Sequence, residues 1–163
     1  NPKTETTRVT TMRRKEKEIT DKKDIEAVIR ACLVCRLAII DGDYPYIVPL
    51  NFGYKDDVLY FHGAMKGKKL SLLQKNKHAA FEFDTRLELI EAEEACDWSM
   101  KFQSVVGFGK VSMIESPQEK KKVLDFIMAQ YSDRHFEIPE KSIKGIAVYK
   151  LEIEQMTGKQ SGW

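Results

Sequence analysis

No stretch of this 163-residue sequence approaches the ~20 consecutive apolar residues that a membrane-spanning helix needs. The N-terminal region likewise lacks the apolar segment of a secretory signal. Both absences set the expectation of a cytoplasmic protein with no membrane partner. An excess of one charge sign is also missing. The chain carries 27 Lys and Arg against 25 Asp and Glu, so no broad basic field for a nucleic-acid partner is expected. The short basic run Arg13-Arg14-Lys15 adjoins Glu16 and Glu18 and reads as a solvated arm.

Cysteine is scarce and odd in number. Cys32, Cys35 and Cys96 cannot form a closed disulfide framework, and such usage fits a reducing compartment. The pair Cys32-Leu-Val-Cys35 has the spacing of a redox or metal motif. A zinc site needs about four ligands, though, and no second pair completes one. A thioredoxin-like motif needs a βαβ setting, whereas these cysteines lie between a helix and a strand. Two small semi-buried side chains are the favoured reading. Three scattered histidines offer no dedicated metal site, and none is expected. The glycine fingerprint of a Rossmann unit is absent as well, along with its strand–helix alternation.

What is present reads as one domain over residues 19–163, behind a flexible arm at 1–18 that is Thr-rich and without apolar periodicity. After Thr20 and Asp21, the apolar positions Ile25, Val28, Ile29 and Cys32 recur at helical spacing. Strand-like segments follow at 34–40, 44–54 and 58–62, punctuated by Asp41-Gly42-Asp43 and Lys55-Asp56-Asp57. Such residues adopt hairpin dihedrals at little cost. Pro49 removes a ladder donor, which predicts an edge, an end or a bulge there. A helix carrying Leu70, Leu72 and Leu73 should end near Asn76, and a fourth strand covers 79–83. Residues 86–102 fit strand or helix. A strand over 104–114 contains Gly107 and Gly109, signs of a bulge, a bend or a close approach. Ser116-Pro117-Gln118-Glu119 has the form of a capping box. Its helix should bury Val123, Ile127 and Tyr131. A polar loop with Pro139 leads to a last strand at 143–153 and a tail. Consecutive strands with hairpin turns favour a mainly β (α+β) architecture, an antiparallel barrel with flanking helices.

The chemistry concentrates between Pro49 and Lys69. Lys66-Gly67-Lys68-Lys69 opens a helix, whose free N–H groups and dipole favour an anion. Lysines there oppose the dipole unless a phosphate docks; a solvated basic face is the alternative. His62, at a strand end, could donate to or exchange a proton with a bound group, or simply bond the backbone. Trp98, Phe102 and Phe108 suit either a cofactor wall or core and interface packing.

Several of these stretches resemble one known family. They are Cys35-Arg-Leu-Ala, the run from Pro45 to Tyr54, Leu59-Tyr-Phe-His-Gly-Ala64 with Gly67-Lys-Lys, the run from Ser104 to Lys110, and Thr157-Gly-Lys-Gln-Ser161. They are similar to the pyridoxamine 5′-phosphate oxidase-related flavoproteins, most of all the nitroimidazole-resistance (Nim-type) group, over residues 12 to 161. The resemblance implies a split β-barrel with FMN as cofactor, in a homodimer with sites between protomers. It implies that Val48, Pro49, Leu50 and Asn51 lie along the flavin ring. Phe61, His62, Gly63 and Ala64 would run beside ring and ribityl chain, and Lys68 and Lys69 would hold the phosphate. Ser104, Val105 and Val106 would form a ring-side strand, with Lys159, Gln160 and Ser161 approaching the cofactor. His62 is the implied catalytic residue. The implied activity is oxidoreduction, with electrons passing from reduced flavin to a nitroaromatic or quinone-like acceptor and NAD(P)H a candidate donor. Oxidation of pyridoxamine phosphate itself is disfavoured, since an Arg-rich C-terminal pattern is absent. The alternative is a flavin- or haem-binding module without catalysis.

Overall fold

The computed structural model describes residues 12–163; the first eleven residues of the expected arm lie outside the described part. A short 3-10 turn at Lys15–Lys17 leads into β1 (Glu18–Ile19). Ile19 pairs with Gly158 on the last strand, which ties this end of the arm to the barrel. Helix α1 (Lys22–Ala31) starts where Asp21 accepts from the Lys23 N–H at 2.7 Å. It buries Ile25, Val28 and Ile29, as the helical spacing predicts.

Strands β2 (Cys35–Asp41) and β3 (Tyr44–Leu50) form the first hairpin. The single segment expected over 44–54 is instead broken at Asn51–Phe52, and β4 (Gly53–Lys55) follows on a new course. The Tyr131 hydroxyl fixes this break. It accepts from the Phe52 N–H and donates to the Leu33 carbonyl, both at 2.9 Å. Asp56 and Asp57, at φ of 50° and 62°, make the tight turn into β5 (Val58–Ala64). Helix α2 (Lys68–Lys75) ends at Asn76, as expected.

Strands β6 (His78–Ile90) and β7 (Ser99–Ile114) are much longer than the sequence pattern suggested. Residues 86–90 and 99–102 resolve as strand, and together they extend the hairpin as an arm. Of the bulge, bend and close approach expected at Gly107 and Gly109, the first and last are found at Gly109. The register shifts between Phe108 and Gly109, and a Cβ on Gly109 would sit 2.0 Å from the Glu152 carbonyl oxygen. Helix α3 (Pro117–Tyr131) begins with the Ser116 hydroxyl accepting from the Glu119 N–H. The Pro139 region holds a short helix, α4 (Glu140–Lys144), which takes Ile143 from the expected strand. Strand β8 (Ile146–Ser161) absorbs the residues read as a tail, because β7 and β1 supply partners for an otherwise polar segment.

All pairings are antiparallel, in the order β3-β2-β6-β7-β8-β5-β4, with β1 added to β8. The two ends of that path, β3 and β4, are consecutive in the chain, so the bend at Asn51–Phe52 closes the sheet into a split barrel. β3 lies at an open edge, which accommodates Pro49 without a missing ladder bond. The interior holds Leu37, Ile39, Phe61, Phe81, Phe83 and Leu151, all at most 1% exposed. On the outside, α3 and α4 cover Ile114 and Val148 with Val123, Leu124, Ile127 and Ile143. The outer face of β3, β2, β6 and the first half of β7 has no such cover, and Ile40, Ile47 and Val106 remain 66%, 61% and 52% exposed there.

Candidate functional site

Helix α2 begins without a side-chain cap. Gly67 stands at its N-cap with φ of 120°, and no side chain accepts from the first turn, whereas Asp21 and Ser116 cap α1 and α3. The open N–H groups and the helix dipole leave a positive end. The two lysines of that turn part company. Lys68 extends over the Tyr46 ring at 5.3 Å and pairs with Asp41 at 2.5 Å. Lys69 turns the other way, onto the end of β5. Its ammonium lies 3.0 Å from where a Cβ on Gly63 would stand, so the missing side chain gives Lys69 its room.

Lys69 is partly buried and makes no ion pair among the described residues. Burial accordingly lowers its pKa, because an ammonium loses hydration without gaining a counter-charge. Next to Gly63, the His62 imidazole is pushed below its ordinary pKa by desolvation first and by the Lys69 charge second. Its side chain still reaches solvent. Cation, neutral imidazole and open helix end therefore meet at one end of the barrel.

The remaining candidates are spread over the sheet. Phe61 and Val105 are fully buried; Phe61 stacks on Tyr149 at 5.4 Å, so both present only main chain to a ligand. Val48 and Leu50 pack inward against the core, while Pro49 and Asn51 are exposed. Pro49, Arg36, Glu82, Val106 and Thr157 are successive neighbours across five strands, one row over the bare outer face. Ser104 and Lys159 are paired near one end of that face, beside the Phe102–Ser161 pair. Lys159 lies over the Phe102 ring at 5.8 Å. Gln160 points inward instead, where its side-chain carbonyl accepts from Gln103, itself bonded to Arg86.

Two groups emerge that one chain keeps apart. Gly63 pairs with Ala147 and Ser104 pairs with Lys159, so the groups are separated along β8 by about 40 Å of strand at ~3.3 Å per residue. His62, Ala64, Lys68 and Lys69 gather at one end of the barrel, and Ser104, Lys159 and Ser161 near the other. Sequence reasoning missed Asp41 and Tyr46 as the partners of Lys68. It also missed Arg36, which bridges Glu82 at 3.0 Å and Asp84 on the bare face. Strand alternation places Arg36 on that face, but only the β2–β6 register brings the carboxylates to it. Cys32 and Cys35 are buried, and burial drives both thiol pKa values up, that of Cys32 to about 11.

Comparison with known proteins agrees with this architecture. A comparison with curated protein sequences finds no match. Among solved structures, a candidate 5-nitroimidazole antibiotic resistance protein from Bacteroides thetaiotaomicron is 36% identical, with a TM-score of 0.79 over 88% of this chain and 86% of that one. The flavocytochrome Anf3 from Azotobacter vinelandii (20% identity, TM-score 0.81, 94% and 73% covered) shares the fold. So does a FAD- and haem-binding protein from Mycobacterium smegmatis (19%, 0.82, 90% and 74%). The pyridoxamine 5′-phosphate oxidase family model matches residues 21–160. With that match spanning most of its length, the chain belongs to the pyridoxamine 5′-phosphate oxidase family.

Proposed function

We infer that this protein binds a flavin, FMN, between two copies of the chain and passes electrons from it to a small acceptor of nitroaromatic or quinone type. One observation carries the reading: the partly buried Lys69 ammonium, without a carboxylate partner, beside an uncapped helix start. An arriving phosphate monoester would supply the missing counter-charge and accept from the open N–H groups. The residues fit such a group, and Gly63 keeps the space clear.

The flavin, when bound, supplies the redox chemistry. This chain's residues supply the rest. Lys69 holds the phosphate end. Lys68, already neutralised by Asp41, adds less. The free edge of β3 between Val48 and Asn51 offers main-chain groups to a polar ring edge, with Pro49 giving only its carbonyl. His62, whose pKa is lowered by burial and then by Lys69, can accept or hand over one proton at an imidazole nitrogen. The separation of the two residue groups along β8 favours a shared site, in which the Ser104 and Lys159 end of one copy meets the Lys69 end of the other. The bare outer face is the natural surface for that pairing, since large exposed apolar patches mark interaction sites.

The test is direct. Protein purified with FMN should show the yellow flavin absorption bands and oxidise NAD(P)H in the presence of a nitroaromatic acceptor. Lys69→Ala should weaken FMN binding at least tenfold, the scale of one charge-assisted hydrogen bond, and Lys68→Ala should weaken it less. Bound flavin without turnover would remove the oxidoreductase half. Equal retention by wild type and Lys69→Ala would remove the site.

A further inference from the structure

Beyond Phe102, the last β7 residue paired with β8, the β6–β7 arm pairs only with itself. Beyond the register shift between Thr85 and Glu88, only Glu88–Ile90 and Ser99–Lys101 pair across it, and its tip spans residues 91–98. The arm exposes Leu87, Leu89, Met100 and Trp98. Its shape is fixed nonetheless. Trp98 donates its indole N–H to the Ala92 carbonyl at 2.7 Å, and Arg86, at φ of 54°, anchors the base by donating to buried Gln103 at 2.8 Å. The tip is acidic, with Glu91, Glu93, Glu94 and Asp97. Lys101 pairs with Glu88 at the arm's base, and no ion pair reaches the tip among the described residues. The exposed apolar side chains of a structured projection mark an interaction surface.

Strand alternation supplies the occupant. Met100 and Val106 fall on the same, outer side of β7; Leu89, paired with Met100, shares it, as do Ile40 and Ile47 on β2 and β3 by strand alternation from Arg36 and Pro49. Apolar side chains thus stand at both ends of this face, with the Arg36–Glu82–Asp84 ion pairs between them. A two-fold pair is isologous, so each copy meets the same surface reversed. A two-fold axis near Val106 would set the arm of one copy, about 20 Å up β7 at Met100, about 20 Å down the other copy. The arm would then pass Ile40, about 13 Å down, and reach the turn that opens α2. That turn carries Lys66, exposed and without an ion-pair partner among the described residues.

We propose that the β6–β7 arm is a clasp between chains. It seats Leu89, Met100 and Trp98 on Ile40 and Ile47 of a second copy and sets its acidic tip against Lys66 there. This rests on the two-copy reading above and adds to it: the arm closes the approach to the other copy's α2 entrance, so access to each site is governed by the chain opposite.

Cys96 at the tip is exposed, while Cys32 and Cys35 are buried, so the chain already holds a single reporter thiol. Lys66→Cys, treated with diamide, should give a reducible band of twice the chain mass, absent when Cys96→Ser is added. Lys121→Cys, on exposed α3 surface, should give none. With Lys66 kept, Glu91, Glu93 and Glu94 reversed to Lys should weaken the dimer at least fivefold by analytical ultracentrifugation, and reversing Lys66 to Glu in that background should restore it. If light scattering shows a dimer that retains flavin but Lys66→Cys never cross-links, the clasp is wrong and the shared site stands. If the chain is a monomer at every concentration, both fall. If the Lys121→Cys control links as fast as Lys66→Cys, the contact is collisional and the clasp is overturned.

Discussion

Lys69 and His62 each make protonation of the other less favourable, and this coupling can be measured without any ligand. Removing the Lys69 charge by Lys69→Met should raise the His62 pKa, because the second cause of its depression disappears. Burial, the larger cause, should keep it below an ordinary histidine. An NMR titration of the imidazole reads both statements, and an unmoved pKa would separate the two residues. The thiols make a parallel case. Only thiolates react readily, and burial holds Cys32 and Cys35 protonated. One of three cysteines should therefore react promptly with Ellman's reagent in the native protein, and all three after denaturation. That His62, Lys68 and Lys69 lie near one another was legible in the sequence, since a strand end and a helix start separated by a short turn must be close. The splitting of the two lysines was not legible. It depends on Asp41 and Gly63, which only the folded barrel brings to them.

Among the elements, those whose signals are local were read correctly from the sequence. Asp21 and Ser116 cap the helices they announce, and Asp56-Asp57 makes the turn it suggests. Elements decided by distant partners were not. Residues 154–161 carry Glu, Gln and Lys at positions where propensity argues for a tail, and they are strand because β7 and β1 flank them. The broken strand at Asn51–Phe52 depends on Tyr131, nearly eighty residues away. Tyr131→Phe should thus cost about 1–3 kcal/mol, the penalty for leaving the Phe52 N–H unsatisfied, measured by urea unfolding. Gly109→Ala should cost at least about 2 kcal/mol, since its Cβ would collide with the Glu152 backbone rather than with a side chain that can yield.

For the molecule as a whole, one outer face of the barrel is sealed by α3 and α4, and the other is left bare for the proposed second copy. A charge placed in the middle of the bare face should break such a pair while leaving the barrel folded. Val106→Asp, exposed in the single chain, is expected to sediment as a monomer with a native circular dichroism spectrum and to lose flavin. A dimeric Val106→Asp would move the interface elsewhere. An antiparallel barrel with flanking helices was legible from the hairpin order, and its split form from the family resemblance. The unequal covering of its two faces was not, because it follows from register and from where α3 lands.

Strand β8 is the spine of the sheet, bonded to β7 on one side and to β5 and β1 on the other. It is also the last strand to be made. During synthesis at ~5–20 residues per second, β5 and β7 must therefore wait with open edges for the strand that joins them. Translation pauses or ribosome-bound chaperones acting while β8 is made should then govern how much of this protein reaches its native state.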